Sequence, residues 1–167
     1  MRRFLIITDI LISVFFLSAC ENNVGNNDKF PTLEFESMVE IVSDDMKVNA
    51  KMIRDNTGNT QIEIVSPETL NGLIFKNNES ESSISKDELS YKTDDIVLPQ
   101  SSGIASVIEA LNVMDKMRQE KPFYKDDKEM AFIGKIGCGK FELRAERKTG
   151  FITEIKIGEK ITASFSK

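Results

Sequence analysis

Residues 141–165, FELRAERKTGFITEIKIGEKITASF, decide the fold class because apolar and polar residues alternate through them in three short runs. A period of two is typical of strands that bury one face and leave the other face in water. Turn-forming residues separate the runs at 148–150 (KTG) and at 158–159 (GE). The stretch therefore predicts three consecutive antiparallel strands, each of them apolar on one face only.

The same alternation continues in the chain before this stretch. The further predicted strands cover residues 33–41, 46–52, 61–65, 73–76, 83–85, 89–92 and 130–136. Turn-forming residues separate the first three strands, at 43–45 (SDD) and at 56–59 (NTGN). Residues 118–129 (RQEKPFYKDDKE) are interpreted as a charged loop around Pro122.

Residues 103–117 break the alternation because their apolar residues recur at helical spacing. The apolar face consists of Ile104, Val107, Ile108, Leu111, Met114 and Met117. Ser101 or Ser102 is suited to cap the start of this helix, the only helix predicted after the N-terminal segment. Together these patterns predict a mainly β (α+β) fold, a curved antiparallel sheet of about 9–10 strands that wraps around one amphipathic helix.

The N-terminal segment carries the features of an export signal. Two arginines precede an apolar run, and residues 17–20 (LSAC) follow it, which is the order of a secretory signal peptide. The sequence LSAC also resembles the bacterial lipobox, which implies cleavage between Ala19 and Cys20 and acylation of Cys20. A plain transmembrane anchor is the alternative, but a bilayer span needs about 20 apolar residues and Asp9 interrupts this run.

The chain therefore divides into a lipoprotein signal peptide at 1–19, the lipidated Cys20 with a flexible Asn-rich tether at 20–32, and one domain at 33–167. We expect an exported protein that acyl chains hold on the outer face of the bacterial cell membrane. Removal of residues 1–19 takes away two of the 22 basic and one of the 27 acidic residues and leaves a net charge of −6. This charge argues against a nucleic-acid partner and leaves the acyl anchor as the contact with the membrane.

The residue types that most often carry catalysis or hold a metal are scarce. The chain has no His and only two Cys, and acylation of Cys20 would leave Cys138 without a disulfide partner. A zinc site of Cys and His is excluded for the same reason. We therefore expect no cofactor, no metal and no enzymatic activity.

Several motifs have a structural interpretation that outweighs the functional one. Residues 134–141 (GKIGCGKF) have the spacing of a phosphate-binding loop, but Phe141 stands where Ser or Thr would bind magnesium, and a strand pattern follows. These glycines predict a tight turn or bulge, and Cys138 is interpreted as a small turn residue rather than a reactive thiol. The pairs at 44–45, 94–95 and 126–127 lack the spacing of a calcium loop and are interpreted as solvated turns.

Four further features resemble LolA-like lipoproteins of Gram-positive bacteria. They are the segment 67–73 (PETLNGL) between two strands, Tyr91 followed by Leu98-Pro99, the helix from Gly103, and the hairpin at 148–151 (KTGF). Phe151-Ile152 replaces the family's Leu-Pro in that hairpin. The resemblance covers about residues 33–166 and implies an incomplete, strongly curved β-barrel whose concave side receives acyl chains.

The leading hypothesis is a membrane-anchored, non-enzymatic lipoprotein that binds a hydrophobic ligand, such as an acyl chain or lipoprotein lipid, in a concave apolar cavity. The predicted lining residues are Met46, Val48, Met52, Ile62, Ile64, Phe75, Ile104, Ile108, Leu111, Phe141, Leu143, Ile155 and Ile157. The alternative is an envelope sensor or scaffold with a packed core and no ligand cavity, acting through a protein partner. An enzyme is the third possibility and fares worst because no nucleophile–base pair stands out.

Overall fold

The structure is a computed structural model, and it describes residues 29–44, 46–78, 81–93 and 102–167. The predicted signal peptide at 1–19, the acylation site Cys20 and the first part of the predicted tether lie outside the described residues. Among the residues that are described, no helix has both the length and the apolar character that crossing a membrane requires.

In the described part of the chain, eleven strands form one sheet, and one α-helix packs on it. The strands are β1 (Phe35–Ser43), β2 (Met46–Arg54), β3 (Thr60–Ser66), β4 (Ile74–Asn77), β5 (Ser82–Lys86), β6 (Leu89–Thr93), β7 (Tyr124–Lys125), β8 (Glu129–Ile136), β9 (Gly139–Glu146), β10 (Ile152–Ile157) and β11 (Ile161–Ser166). The helix is α1 (Gly103–Lys116), and a 3-10 turn (Glu68–Leu70) lies between β3 and β4. The predicted mainly β architecture is confirmed.

All neighbouring strands are antiparallel, and their spatial order is β6-β5-β4-β3-β2-β1-β11-β10-β9-β8-β7. The first and last strands therefore pair in the middle of the sheet, where Val39 lies opposite both Phe165 and Ala50. The edge strands are β6 and β7. Alternate residues of the central strands are buried on the face that the helix covers, which we call the inner face.

One strand was not predicted. β7 falls within the segment 118–129 that the sequence indicated as a loop, and it pairs with β8. The Phe123 amide donates to the Ala131 carbonyl at 3.0 Å, and the Asp126 carboxylate closes the turn by accepting from the amides of Lys128 and Glu129, both at 2.7 Å. A strand of two residues is too short to produce a detectable period.

The helix begins where the sequence predicted. The Ser102 hydroxyl accepts from the Ala105 amide at 3.1 Å, which confirms Ser102 as the cap, while Ser101 lies outside the described residues. Five residues of the predicted apolar face are buried, namely Ile104, Val107, Ile108, Leu111 and Met114. The helix lies over β1, β8, β10 and β11.

The glycine-rich segment 134–141 forms the β8–β9 hairpin, with no helix after it, so the predicted turn between strands is confirmed. Gly134 pairs with Phe141, and a Cβ atom on Gly134 would lie 2.3 Å from the Phe141 ring. The Gly137 amide donates to the Glu109 carboxylate of α1 at 2.9 Å. Gly134 is therefore required by close packing inside the sheet, not by a ligand.

Residues 29–32, which we call the N-terminal strap, belong to the folded domain rather than to a free tether. The Phe30 ring packs edge-to-face on Phe132 with centroids 5.4 Å apart, and the Thr32 amide donates to the Gly150 carbonyl at 2.7 Å. Gly150 has φ +75°, and a Cβ there would lie 2.6 Å from the Phe30 carbonyl oxygen. The described end of the predicted tether therefore packs on the domain predicted at 33–167, with Phe30 against its hydrophobic cluster.

Candidate functional site

Twelve of the thirteen predicted lining residues lie in one hydrophobic cluster between the sheet and the helix. They are at most 8% exposed, and they are Val48, Met52, Ile62, Ile64, Phe75, Ile104, Ile108, Leu111, Phe141, Leu143, Ile155 and Ile157. Met46 is the exception, with 46% of its surface exposed. It lies opposite Ser43 at the end of the β1–β2 hairpin, outside the buried cluster that the other twelve residues form.

The centre of this cluster is closely packed. Met52, Ile62, Leu111, Leu143 and Ile155 have no exposed surface, so no space large enough for a water molecule adjoins their side chains. Four of the surface pockets that border described residues contain none of the predicted lining residues in their walls. A ligand between the sheet and the helix would therefore have to displace part of this packing.

A continuous row of apolar side chains leads from this closed centre to an edge of the sheet. Strand register places Met52 opposite Ile62, Ile62 opposite Phe75, Phe75 opposite Ile84 and Ile84 opposite Tyr91. Directly paired residues point to the same face, so these five side chains, which we call the apolar row, all lie on the inner face.

Exposure increases along the apolar row towards edge strand β6. Met52 and Ile62 are fully buried, Phe75 is 8% exposed, Ile84 is half-buried, and Tyr91 is 64% exposed. Ile84 and Tyr91 were absent from the predicted lining. Their strands were indicated by alternation, but a run of four or five residues does not reveal which face turns inward.

A second row on the same face is polar. Two residues further along the strands, Arg54 pairs with Thr60, Thr60 with Asn77, and Asn77 with Ser82. These four residues, which we call the polar row, run beside the apolar row at a distance of about 7 Å, which is the rise of two residues in a strand. Hydrogen bonds link them in pairs, from Arg54 Nη1 to Thr60 Oγ1 at 2.8 Å and from Asn77 Nδ2 to Ser82 Oγ at 2.9 Å.

Arg54 is a buried charge at the inner end of the polar row. The residue is 2% exposed, its Nη1 also donates to the Gly58 carbonyl at 2.7 Å, and its Nε has no hydrogen-bond partner. Burial is the main cause that lowers the pKa of Arg54, while the negative charges of Asp115 and Asp55 oppose that effect. Within the described parts of the chain, no carboxylate forms an ion pair with Arg54.

The neighbouring loop holds the Gly58 carbonyl in place. The Asp55 carboxylate accepts from the Thr57 amide at 2.9 Å and from the Asn59 amide at 3.0 Å, and it also accepts from the Thr57 hydroxyl at 2.7 Å. These hydrogen bonds, above all those from the side chains of Thr57 and Asn59, lower the pKa of Asp55 to about 2. The loop is therefore a rigid turn that positions one partner of the buried guanidinium.

A pocket of about 210 Å³ opens between the polar row and the C-terminal end of α1. Its walls are Arg54, Thr57, Gly58, Asn77, Asn78, Asn112, Asp115 and Lys116. The Asp115 carboxylate is engaged by Arg118, whose Nη2 and Nε both lie 2.7 Å from it. The wall of this pocket therefore combines N–H donors with one carboxylate, and the negative charge of that carboxylate also acts on Arg54.

In the described ranges, Cys138 and the acidic residues singled out in the sequence lie in separate turns. Among the residues that the structure describes, no three of His, Cys, Asp and Glu are placed to hold a metal ion. Cys138 is exposed in the β8–β9 turn, with its Sγ 3.4 Å from the Ser106 hydroxyl of α1. Asp44 and Asp126 occupy turns as predicted, whereas Asp45, Asp94 and Asp95 lie outside the described residues.

Known proteins resemble this chain in their structure and not in their sequence. The sequence matches no protein-family model. No curated protein matches it either. Among solved structures, it is similar to a LolA superfamily protein from Nitrosomonas europaea, with a TM-score of 0.41 and 9% identity over 85% of this chain and 88% of that chain.

Proposed function

We propose that this chain is a membrane-anchored, non-enzymatic envelope lipoprotein of LolA-like, Gram-positive type, which binds a hydrophobic ligand on the inner face of its sheet. The observation that carries the proposal is the apolar row, which runs without a polar interruption from the packed centre to an exposed edge. An acyl chain or the lipid part of a lipoprotein is the ligand that such a row suits, because its methylenes gain about 0.8 kcal/mol each on burial.

The ligand would first contact the exposed outer end of the row and then extend inward. Tyr91 and Ile84 offer apolar surface in the absence of any ligand, whereas Phe75, Ile62 and Met52 become accessible only when the layer opens. Helix α1 contributes side chains to the same buried cluster as these three residues, so a shift of this helix would open the layer without breaking the pairing of β2 to β6. Binding is therefore proposed to be coupled to movement of α1.

The chain offers a direct way to block that movement. The Cys138 Sγ and the Ser106 Oγ lie 3.4 Å apart, one on the β8–β9 turn and one on the helix. A Ser106→Cys variant should form a disulfide on oxidation and fix α1 to the sheet. We expect the oxidised variant to lose uptake of a fluorescent fatty acid and the reduced variant to regain it, while oxidation leaves uptake by the unmodified chain unchanged.

Lipid extraction of the purified full chain, followed by mass spectrometry, tests for a ligand acquired in the cell. The proposal predicts a lipid that is released without cleaving the protein's own acyl groups. It fails if no lipid is recovered and no fluorescent fatty acid is taken up.

The membrane anchor is tested separately at Cys20. The segment LSAC supports acylation at this residue, and two or three acyl chains would hold the protein stably on a bilayer. A Cys20→Ser variant should accumulate uncleaved or appear in the soluble fraction. Membrane partitioning equal to that of the unmodified chain would contradict the anchor.

The close packing of the centre favours a second candidate, a sensor or scaffold that acts through a protein partner without any ligand cavity. Full burial of residues such as Met52 and Leu111 is what this candidate requires. The locked Ser106→Cys variant discriminates between the two candidates. A scaffold with a permanently closed layer would bind its protein partner equally well with the disulfide formed. A ligand-binding protein would lose fatty-acid uptake when the disulfide forms.

A further inference from the structure

The polar row has a feature that apolar ligand binding alone does not explain. Arg54 is almost fully buried, carries a charge without an ion-paired carboxylate, and has one donor, Nε, without a partner. Burial of a charge is costly unless the charge is paired, and an unsatisfied buried donor adds a further cost. The Nε atom is itself enclosed, so a partner from outside the chain would meet Arg54 where its side chain borders the neighbouring pocket.

The surroundings of Arg54 indicate the charge of that partner. The pocket beside it is lined by the side chains of Asn77, Asn112 and Lys116, which all carry N–H donors. The one carboxylate on its wall, that of Asp115, is held by Arg118 at 2.7 Å. A small oxyanion such as a carboxylate or a phosphate group fits the donors and a volume of about 210 Å³.

The position of the polar row indicates how that anion is attached. The polar row runs parallel to the apolar row on the same face, two residues away along each of β2, β3, β4 and β5. An amphiphile lying on this face would place its chain on the apolar row and its head on the polar row. The separation of about 7 Å between the rows is short enough for one amphiphile to contact both of them.

We propose that the polar row recognises the anionic head of an amphiphilic ligand, with Arg54 as the residue that selects for negative charge. This inference rests on the proposed function, because it assigns the head of the same ligand whose hydrophobic part follows the apolar row. The ligand class is thereby narrowed to a single-chain or multi-chain lipid with a carboxylate or phosphate head. A neutral lipid of equal chain length would leave the buried guanidinium without its partner.

Equilibrium binding of three radiolabelled probes to the full chain tests this assignment. The probes are dodecanoate, dodecanol and acetate, used at pH 8 in a neutral maltoside detergent, and each affinity is corrected for the separately measured partition of that probe into the detergent micelles. We expect dodecanoate to bind about tenfold more tightly than dodecanol, since a charge-assisted hydrogen bond in a buried site supports a preference of that size. Acetate at the same concentrations should show no measurable binding.

Two variants assign the preference to its residue. In Arg54→Met the ratio of the two affinities should fall to about one, and in Arg54→Lys part of the preference should remain. The matched control is Arg144→Met, because Arg144 lies on the outer face of β9 beside Glu142 at 2.7 Å and should leave the ratio unchanged. If Arg54→Met fails to fold, the ratio in the unmodified chain and in Arg54→Lys decides the question.

Each outcome has a distinct meaning. If neither dodecanoate nor dodecanol binds, the proposed function itself fails. If both bind equally to the unmodified chain, the function stands and the headgroup assignment is overturned. An unchanged ratio in Arg54→Met overturns the role of Arg54, and acetate binding as tight as that of dodecanoate overturns the link between the head and the chain.

Discussion

The two halves of the sheet differ in how completely their inner faces are buried. Strands β8, β10 and β11, together with β1, lie beneath helix α1, whereas the side of the sheet from β2 to β6 ends at an edge where Tyr91 is 64% exposed. Both sides show the same alternation of apolar and polar residues. The comparison shows that alternation indicates which face turns inward but not what covers that face.

The largest effect should come from removing a contact of the covered half. Leu111 is fully buried in α1, whereas Leu89 at the β6 edge is 79% exposed. We expect Leu111→Ala to lower the free energy of unfolding by about 4 kcal/mol, because it leaves a cavity against the sheet. The matched control Leu89→Ala should stay within about 0.5 kcal/mol. Equal urea midpoints for the two variants would contradict the difference between the halves.

A smaller loss is expected from crowding the β8–β9 pair. In Gly134→Ala the new methyl group would collide with the Phe141 ring, which is 2% exposed and has little freedom to move. The expected cost is about 3 kcal/mol. Gly158→Ala is the control for backbone strain, because Gly158 has φ +57° and a Cβ atom there would meet no other atom. This variant should lower the free energy of unfolding by about 1 kcal/mol. Thermal unfolding of both variants checks the order of these two effects.

Each edge strand carries one tyrosine, so substitution of the two tyrosines compares the two edges of the sheet. Tyr91 lies on β6 at the end of the apolar row, and Tyr124 lies on β7 with its hydroxyl 3.0 Å from the Asp126 carboxylate. Neither Tyr91→Ser nor Tyr124→Ser should change stability by more than about 0.5 kcal/mol, since both side chains are exposed. Fatty-acid affinity should fall about tenfold in Tyr91→Ser alone, a loss of about 1.4 kcal/mol. A similar fall in Tyr124→Ser would show that β6 has no special role.

The smallest effect is the pH dependence of the stability that two turns contribute, one turn on each half of the sheet. Asp55 in the β2–β3 turn has its pKa lowered from 3.8 to about 2, and hydrogen bonds from Glu129, Lys128 and Tyr124 also lower the pKa of Asp126 before β8. A lowered pKa in the folded state stabilises the protein above the unfolded-state pKa, and this stabilisation is lost as the pH falls. For Asp55 the loss occurs between about pH 4 and pH 2.

Denaturant unfolding across that pH range measures the contribution. Asp55→Asn should be less stable than the unmodified chain at neutral pH and should lose less stability between pH 4 and pH 2. Glu159→Gln, which changes an exposed turn between β10 and β11, serves as the control and should leave the slope unchanged. Parallel pH profiles for the unmodified chain and Asp55→Asn would show that the Asp55 turn does not stabilise the fold.

Local patterns in the sequence were sufficient to predict most of the fold. The strands and α1 agree closely with the predicted ranges because a period of two or of 3.6 is a property of neighbouring residues. The strap at 29–32 escaped prediction because its partners, Phe132 and Gly150, lie about a hundred residues away in the chain. Strand β7 was not predicted because an alternation of apolar and polar residues cannot be recognised in two residues.

The candidate site could be predicted only in part. Twelve of the predicted lining residues lie in the layer between sheet and helix, since apolar positions of alternating strands share one face. The sequence did not single out Arg54, Ile84 or Tyr91. Their placement depends on the register between strands, which follows from turns and packing across the whole sheet rather than from any single segment.

The N-terminal strap has a mechanical consequence. A pull transmitted along the chain towards Lys29 would load the Phe30–Phe132 contact and the hydrogen bonds to residues 147–150 before it reached β1. Those contacts lie beside β8 and β9, away from the β6 edge in the order of the strands. Strap residues and Arg54 also form the wall of one pocket, so tension on the N-terminal segment would reach the inner end of the polar row as well.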